Sequence, residues 1–462
     1  MDGAPQTLKL SSRSVAAEKR KYTIDGGSPL EGTVSVGGAK NAIGKQLVAT
    51  LLTNERCVFR NVPRIAEIDA ILDMLSEVGT EAVWLGPDTL QIQTKCVHSA
   101  KVSSKYSGFN RIPILLLGPL LHRAGEASVP VVGGCPIGPR PVDFHIRSLE
   151  ALGAKIDAFV GGYKATAGRL TGATIKLPFP SVGATENTMM AAVLAEGITV
   201  IENAAIEPEV VDTILFLQKM GARIAVDVDR RIIIEGVDAL FGADHTPVTD
   251  RIEVASFAAA AVATNGNIFI RNAKQSHMTS FLNHLTKVGG GFQVETEGMR
   301  FFRRSANLRP IHLETDVHPG FMTDWQQPFA VLLSQAEGMS VIHETVYENR
   351  FEYTDALRMM GANIDLADFC LGQKACRFFN NGHQHSCVIR GRSKLEGCPI
   401  HIPDLRAGFA YIIAALVADG PTEVTGIEFL ERGYAHVPEK LMGINAKIDV
   451  SGDIEPTFRK VA

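Results

Sequence analysis

The chain has 462 residues, 45% of them apolar and 21% charged, and a formal net charge of −4 from 46 Lys and Arg against 50 Asp and Glu. At about 100–200 residues per domain this is more than one ordinary unit, and the composition excludes wholesale disorder. The mild negative charge with only 2 Trp and 7 Tyr excludes a nucleic-acid footprint, and apolar runs such as Ala407 to Ala418 fall short of the roughly 18 residues that cross a bilayer.

From the N-terminus, residues 1–22 are polar and basic, with the run Lys19-Arg20-Lys21, and read as a flexible extension without an apolar signal region. Seven cysteines in so long a chain make no disulfide scaffold. The expectation is a cytoplasmic protein with reduced thiols and no membrane or nucleic-acid partner.

Six times the chain then repeats one phrase: Leu, a few residues, Gly, a small residue and a strand. It occurs as Leu75 to Gly79, Leu149 to Gly153, Leu217 to Gly221, Leu285 to Gly289 and Leu357 to Gly361. The looser sixth copy runs from Leu441 to Asn445. The Gly stands where a helix C-cap belongs, because it enters the left-handed region without a Cβ clash. An Ala- or Leu-rich helix and a β-branched run precede it, as in Ala191 to Gly197 followed by Ile198 to Glu202. Each unit therefore reads helix, strand, loop, helix, cap, strand. Six units of about this size predict two globular halves of three units each.

The candidate functional loops follow in chain order. Gly37-Gly-Ala-Lys40-Asn41 ends a strand and starts a helix, where an N-terminus and a Lys favour an anion. Val131 to His145 holds Cys135 among glycines and prolines with Arg140 five residues on. This loop reads either as an anion-wrapping turn with a reactive thiol or as a tight turn with a buried Cys. Ser181-Val182-Gly183 offers a hydroxyl and backbone amides. Arg111, Arg350, Arg406 and Arg432 are isolated; several converging would clamp phosphate and carboxylate. Asp324 precedes a helix and reads as an N-cap ahead of a general base. Cys370, Cys376, His383, His385, Cys387, Cys398 and His401 crowd a short stretch. They lack the usual zinc-ligand spacings, so no metal is expected.

Taken together, the six repeats and these motifs resemble the enolpyruvyl transferase family, on the side of its members that act on UDP-N-acetylglucosamine. The motifs are Gly37-Gly-Ala-Lys40-Asn41-Ala42, Gly133-Gly-Cys135-Pro-Ile-Gly-Pro-Arg140-Pro-Val-Asp143, Ser181-Val-Gly-Ala-Thr185, the run Glu202 to Thr213, Thr323-Asp324, Glu348-Asn-Arg350-Phe351, Asp404-Leu-Arg406-Ala-Gly408 and Arg432-Gly-Tyr434. The resemblance implies an α/β fold: a two-domain inside-out α/β barrel of six βαβαββ repeats, with the active site in the interdomain cleft. One domain would cover 41–250, the other 23–40 plus 251–462.

The implied reaction moves enolpyruvyl from phosphoenolpyruvate to the 3′-hydroxyl of UDP-N-acetylglucosamine, releasing phosphate. It is the first committed step of peptidoglycan precursor synthesis and needs no cofactor. By resemblance, Lys40, Arg140 and Arg432 hold phosphoenolpyruvate with support from Arg406. Cys135 is the general acid and the thiol alkylated by fosfomycin, Asp324 takes the sugar proton, and Asp404 assists. Asn41 and Arg111 touch the nucleotide sugar or order the site. Arg140, Pro141, Val142, Asp143 and Phe144 cradle uracil, Ser181, Val182 and Gly183 the diphosphate, and Val346 lines the sugar pocket.

The chain departs from the family pattern at Asn110 to Pro113, at Ile43-Gly44-Lys45, in the extension 366–388, and at Phe179, where some members carry Lys. These departures fall on acceptor-side segments. They leave room for the same chemistry on another uridine nucleotide such as UMP, or for a silent nucleotide-sugar sensor.

Overall fold

In the computed structural model, residues 20–134, 137–138, 140–374 and 376–452 are described. Each repeated phrase ends in a left-handed turn: φ is +105° at Gly79, +99° at Gly153, +104° at Gly221, +110° at Gly289, +105° at Gly361 and +64° at Asn445. Asn replaces Gly in the sixth copy because it is one of the few other residues that tolerates this region.

The first five caps each feed an antiparallel hairpin, the sixth feeds Lys447–Ser451, which pairs with Lys21–Asp25, and the strands build one sheet pattern. In the third unit Thr174–Lys176 pairs parallel with Ile198–Glu202. That strand pairs antiparallel with Arg231–Glu235, which pairs antiparallel with Arg223–Asp227. Five four-stranded sheets and one three-stranded sheet occur among the described residues. In the three-stranded sheet of Glu126–Pro130, Gly162–Thr166 and Lys155–Phe159, the parallel neighbour is reduced to a bridge between Lys101 and Ser128.

The first strands join the far half of the chain. Lys21–Asp25 pairs with Pro421–Thr425 and Lys447–Ser451, and Glu31–Ser35 runs parallel with Asn267–Arg271.

The helices differ in how far they are enclosed, and Pro208–Lys219 keeps Leu215 48% exposed. Every residue of Arg251–Ala263 and of Gln326–Ser334 is buried. A helix apolar all round needs such an enclosed place. The sheets keep one face in water, where Ile198 is 60% exposed. Two separate cores result. One gathers apolar side chains between Ile43 and Leu240; the other joins Tyr22 to Val36 with Val254 to Ala446. Among the described residues no helix is long and apolar enough to cross a membrane.

Candidate active site

The inner helices point one end at the gap between the cores. Lys40 starts Lys40–Ala49, Ser181 caps Val182–Ala192, Arg251 starts Arg251–Ala263 and Leu405 starts Leu405–Val417. All four residues line one cavity of about 420 Å³. Asp324, in the turn before Gln326–Ser334, lines it too. Helix N-termini carry partial positive charge and unpaired N–H groups, so the fold itself aims several anion-attracting ends at one volume.

Side chains add full charges. Lys40, Lys45, Arg111, Arg140, Arg251, Arg377 and Arg432 all line the cavity. Glu67 opposes two of them: Arg432 Nη2 donates to its Oε2 at 2.9 Å, and Lys40 Nζ lies 4.0 Å from its Oε1. Burial pushes the Glu67 carboxyl up, but Lys40 and Arg432 together outweigh it and hold it below the ordinary carboxylate range. Arg432 also donates to the Phe109 carbonyl and stacks over its ring, 4.4 Å from the centroid. It thereby carries a cation from the second half across to the first.

Arg111 donates to the carbonyls of Arg140 and Pro141 at 2.6 and 3.3 Å, so it braces the Cys-bearing loop from below. Burial and the Arg140 charge lower its pKa to about 10. The same surroundings, burial first and then Arg111 and Arg140, push His145 down to about 3. His145 is therefore a neutral wall, and a Cβ on Gly183 would stand 3.1 Å from its ring.

Asp324 faces the cavity from the second half. Arg350 Nη2 donates to its Oδ1 at 2.7 Å and to the Thr323 carbonyl at 3.1 Å. Burial works against the Arg350 charge, but Asp324 and Glu344 outweigh it and its pKa rises. A fixed cation thus stands behind a carboxylate that looks into the cavity. The residue that caps the Thr323–Trp325 turn is Met322, without a side-chain bond. The N-cap reading of Asp324 is therefore corrected: the carboxylate is turned toward Arg350 and the cavity.

The Cys-bearing loop bridges the halves. The Asn349 N–H donates to the Ile137 carbonyl at 3.2 Å, and a Cβ on Gly138 would collide with Glu348. Cys135 itself lies outside the described residues, as does the side chain of Arg406. A buried ion pair joins the halves beside the cavity: Arg251 Nε and Nη2 donate to the two Glu209 oxygens at 2.9 and 3.0 Å.

Of the residues expected at the site, Lys40, Asn41, Arg111, Arg140, Pro141, Asp143, Phe144, Phe179, Ser181, Val182, Gly183, Asp324, Val346 and Arg432 line this one cavity. Val142 does not. It precedes the helix Asp143–Ala151 and its side chain packs into the first core. Asp404 accepts from the Ala407 N–H at 3.2 Å and lines a small adjoining pocket with Arg350. Arg350 stands behind Asp324 rather than in the clamp.

Glu67, His145, Arg251 and Arg377 escaped the sequence reading. Each is a common residue type in an amphipathic or loop segment, and only its distant partner singles it out. Phe179 and Arg377 are such partners, stacked with the guanidinium 5.1 Å from the ring centroid.

The crowded Cys and His stretch separates into groups. Cys387 is buried in the second core and Cys398 packs against it. His401 Nδ1 lies 3.0 Å from Thr425 Oγ1. Cys370, Cys376 and His385 stay together, joined by His343 from a strand outside the stretch.

Comparison with known proteins places this architecture. A family profile described as EPSP synthase (3-phosphoshikimate 1-carboxyvinyltransferase) matches residues 24–441. The chain is 50% identical over 434 residues to the UDP-N-acetylglucosamine 1-carboxyvinyltransferase of Protochlamydia amoebophila, covering 92% of this chain and 93% of that one. It is also 50% identical over 429 residues to the protein of the same name from Chlamydia abortus, covering 92% and 97%.

Among solved structures, the enolpyruvyl transferase NikO from Streptomyces tendae superposes with a TM-score of 0.82 at 22% identity, over 94% of this chain and all of that one. EPSP synthase from Acinetobacter baumannii superposes with a TM-score of 0.72 at 18% identity, over 94% and 100%. The repeats, the inside-out arrangement and the two-domain architecture are those of these neighbours, and the chain belongs to the EPSP synthase family.

Proposed function

We propose that the protein transfers enolpyruvyl from phosphoenolpyruvate to the 3′-hydroxyl of UDP-N-acetylglucosamine and releases phosphate, in the cytoplasm, at the start of peptidoglycan precursor synthesis. The observation that carries this reading is the convergence of Lys40, Arg111, Arg140 and Arg432 on one cavity that Asp324 faces from the other side. Phosphoenolpyruvate brings a carboxylate and a phosphate within a few bonds, so its site needs several cations in a small volume. Preorganised charge of this kind is often the largest catalytic contribution. The relatives from Protochlamydia and Chlamydia carry the name of this activity at about half identity.

In this reading Lys40, Arg140 and Arg432 hold phosphoenolpyruvate, with Arg406 behind them. Cys135 gives a proton to C3 while the sugar oxygen bonds to C2, and Asp324 takes the hydroxyl proton. The tetrahedral adduct then loses a proton from C3, its C2–O bond to phosphate breaks, and the enol ether and inorganic phosphate remain. Asn41 and Arg111 order the acceptor. Arg140 to Phe144 hold uracil, with Val142 acting through its backbone because its side chain is in the core. Ser181, Val182 and Gly183 receive the diphosphate at a helix N-terminus, and Val346 lines the sugar. Asp404 acts through Arg350. The functional domains are residues 41–250 and residues 23–40 with 251–462.

Mass analysis of UDP-N-acetylglucosamine after incubation with phosphoenolpyruvate and the purified protein tests the reading. A nucleotide sugar heavier by one enolpyruvyl group is expected; an unchanged nucleotide sugar overturns it.

A further inference from the structure

Four side chains in the second half meet without any part in the chemistry above. One ligand atom each from His343, Cys370, Cys376 and His385 lies within 4.8 Å of the others. The two histidines are fully buried at the end of a rigid sheet. His343 closes the strand Gly338–His343, and its pairing partner Ser386 directly follows His385. The two cysteines come from the loop that the extension 366–388 adds to this unit.

The hydrogen bonds preset both rings as ligands. His385 Nδ1 stands 2.6 Å from the His383 carbonyl, which only accepts, so the proton sits on Nδ1 and Nε2 keeps its lone pair. That Nε2 is 3.3 Å from Cys370 Sγ. His343 Nδ1 stands 3.3 Å from Glu314 Oε2, which fixes the same tautomer. Its Nε2 is buried with no hydrogen-bond partner. A carboxylate or carbonyl behind each imidazole is the usual second layer of a metal site. The Phe378 N–H donates to Cys376 Sγ at 3.4 Å.

The loop between the cysteines is built around the same group. The N–H groups of Gln373 and Lys374 donate to Glu314 at 2.9 and 3.0 Å. Leu371 N–H and the Phe369 carbonyl are latched by Ser386 Oγ. Gly372 passes so close that a Cβ there would strike His343 Nδ1 and Glu314.

We propose that His343, Cys370, Cys376 and His385 hold one structural divalent ion of the zinc class. Two thiolates and two neutral imidazoles are a borderline-soft donor set that favours tetrahedral zinc. All four positions come from protein, which marks a structural rather than a catalytic site. At ordinary Zn–S and Zn–N lengths the edges of such a tetrahedron are about 3.3–3.8 Å, so the four atoms need close by only about an ångström. Spacing rules miss the site because His343 precedes Cys370 by 27 residues on another element. The ion would also anchor the cleft. Cys376 is followed by Arg377, which donates to the Val346 carbonyl, stacks on Phe179 and lines the cavity. This last consequence rests on the proposed reaction; the metal site does not.

Metal analysis of the full, untagged chain purified without chelator is the test. About one zinc per chain is expected, lost in the C370S/C376S variant. Less than about a tenth of a zinc per chain overturns the proposal, as does a Cys370–Cys376 disulfide found by peptide mapping. If the double variant fails to fold, Co2+ added to chelator-stripped wild type decides. Thiolate-to-cobalt charge transfer with strong tetrahedral visible bands supports the site, and the spectrum of hydrated cobalt rejects it. Glu314→Gln should weaken Co2+ binding roughly 10–100-fold through its hold on His343; unchanged affinity contradicts the arrangement. Stripped wild type should show a several-fold higher KM for the nucleotide sugar with kcat kept. Metal content without that KM change removes only the role given to Arg377.

Discussion

In the first half, the segments that enter the cavity carry Arg111 and Arg140, and Lys40 stands where the chain passes from the second half into the first. In the second, the turn before Gln326–Ser334 carries Asp324 with Arg350 buried behind it. The two halves share one plan of sheets, caps and inner helices. What differs is the residue at each helix entrance. Repetition settles where the helix N-termini point, and the loops then divide the labour: Arg111, Arg140 and the Ser181 helix start from one half, Asp324 backed by Arg350 from the other. Arg432 joins them, as the Arg251–Glu209 pair does, since it starts in the second half and ends on Glu67 and Phe109 of the first. The lesson is that a duplicated fold supplies a positive cavity before any catalytic residue is chosen, and function lies in what is grafted at its rim.

The contact between the halves is the largest lever. Arg251 and Glu209 are almost fully buried and bound bidentately. Arg251→Met should lower unfolding stability by about 3–5 kcal/mol, because it leaves the Glu209 carboxylate buried and uncompensated. Adding Glu209→Gln should restore part of the loss, and denaturant titration of both variants checks this. Next comes the cation that crosses the cleft. Arg432→Met should lower kcat/KM for phosphoenolpyruvate by roughly 10²–10³-fold while circular dichroism stays that of the wild type. A loss confined to the nucleotide sugar would shift Arg432 to the acceptor side.

A smaller effect concerns pH. Glu186 is fully buried, and burial, partly offset by Lys45 at 3.6 Å, raises its carboxyl to about 7. The folded state then holds this proton more tightly than the unfolded chain. Its contribution to stability is fully present below the ordinary value of 4.5 and is lost as the pH rises through about 7. Glu186→Gln should flatten the stability profile between those values, as read by melting temperature against pH. The smallest change is Gly183→Ala, whose new methyl would press on His145. It should raise KM for the nucleotide sugar a few-fold and leave KM for phosphoenolpyruvate alone.

Much of this was legible in the sequence because it is local. A left-handed cap favours Gly or Asn, so the six units could be read from Gly79 to Asn445 without coordinates. Lys40, Ser181 and the Arg140 loop announced themselves by standing where strands hand over to helices. Asp324 was legible in place but not in role, since an acid before a helix is usually a cap and only the distant Arg350 turns it aside. Glu67, His145, Arg251 and His343 were not legible at all. Glu67, His145 and Arg251 act with partners from another unit, and His343 with a loop 27 or more residues further on; sequence carries no mark of such meetings. The Cys and His residues of the 366–388 extension show both sides: three of the four clustered groups were noticed, and the fourth lay on a strand outside the window.

The division of labour is tested most directly on Asp324→Asn, which keeps the shape and removes the carboxylate. This variant should bind UDP-N-acetylglucosamine by calorimetry with the affinity of the wild type, while phosphate release from phosphoenolpyruvate falls by about 10²–10⁴-fold. Release at the wild-type rate, or loss of nucleotide-sugar binding with the rate retained at saturation, would contradict that division.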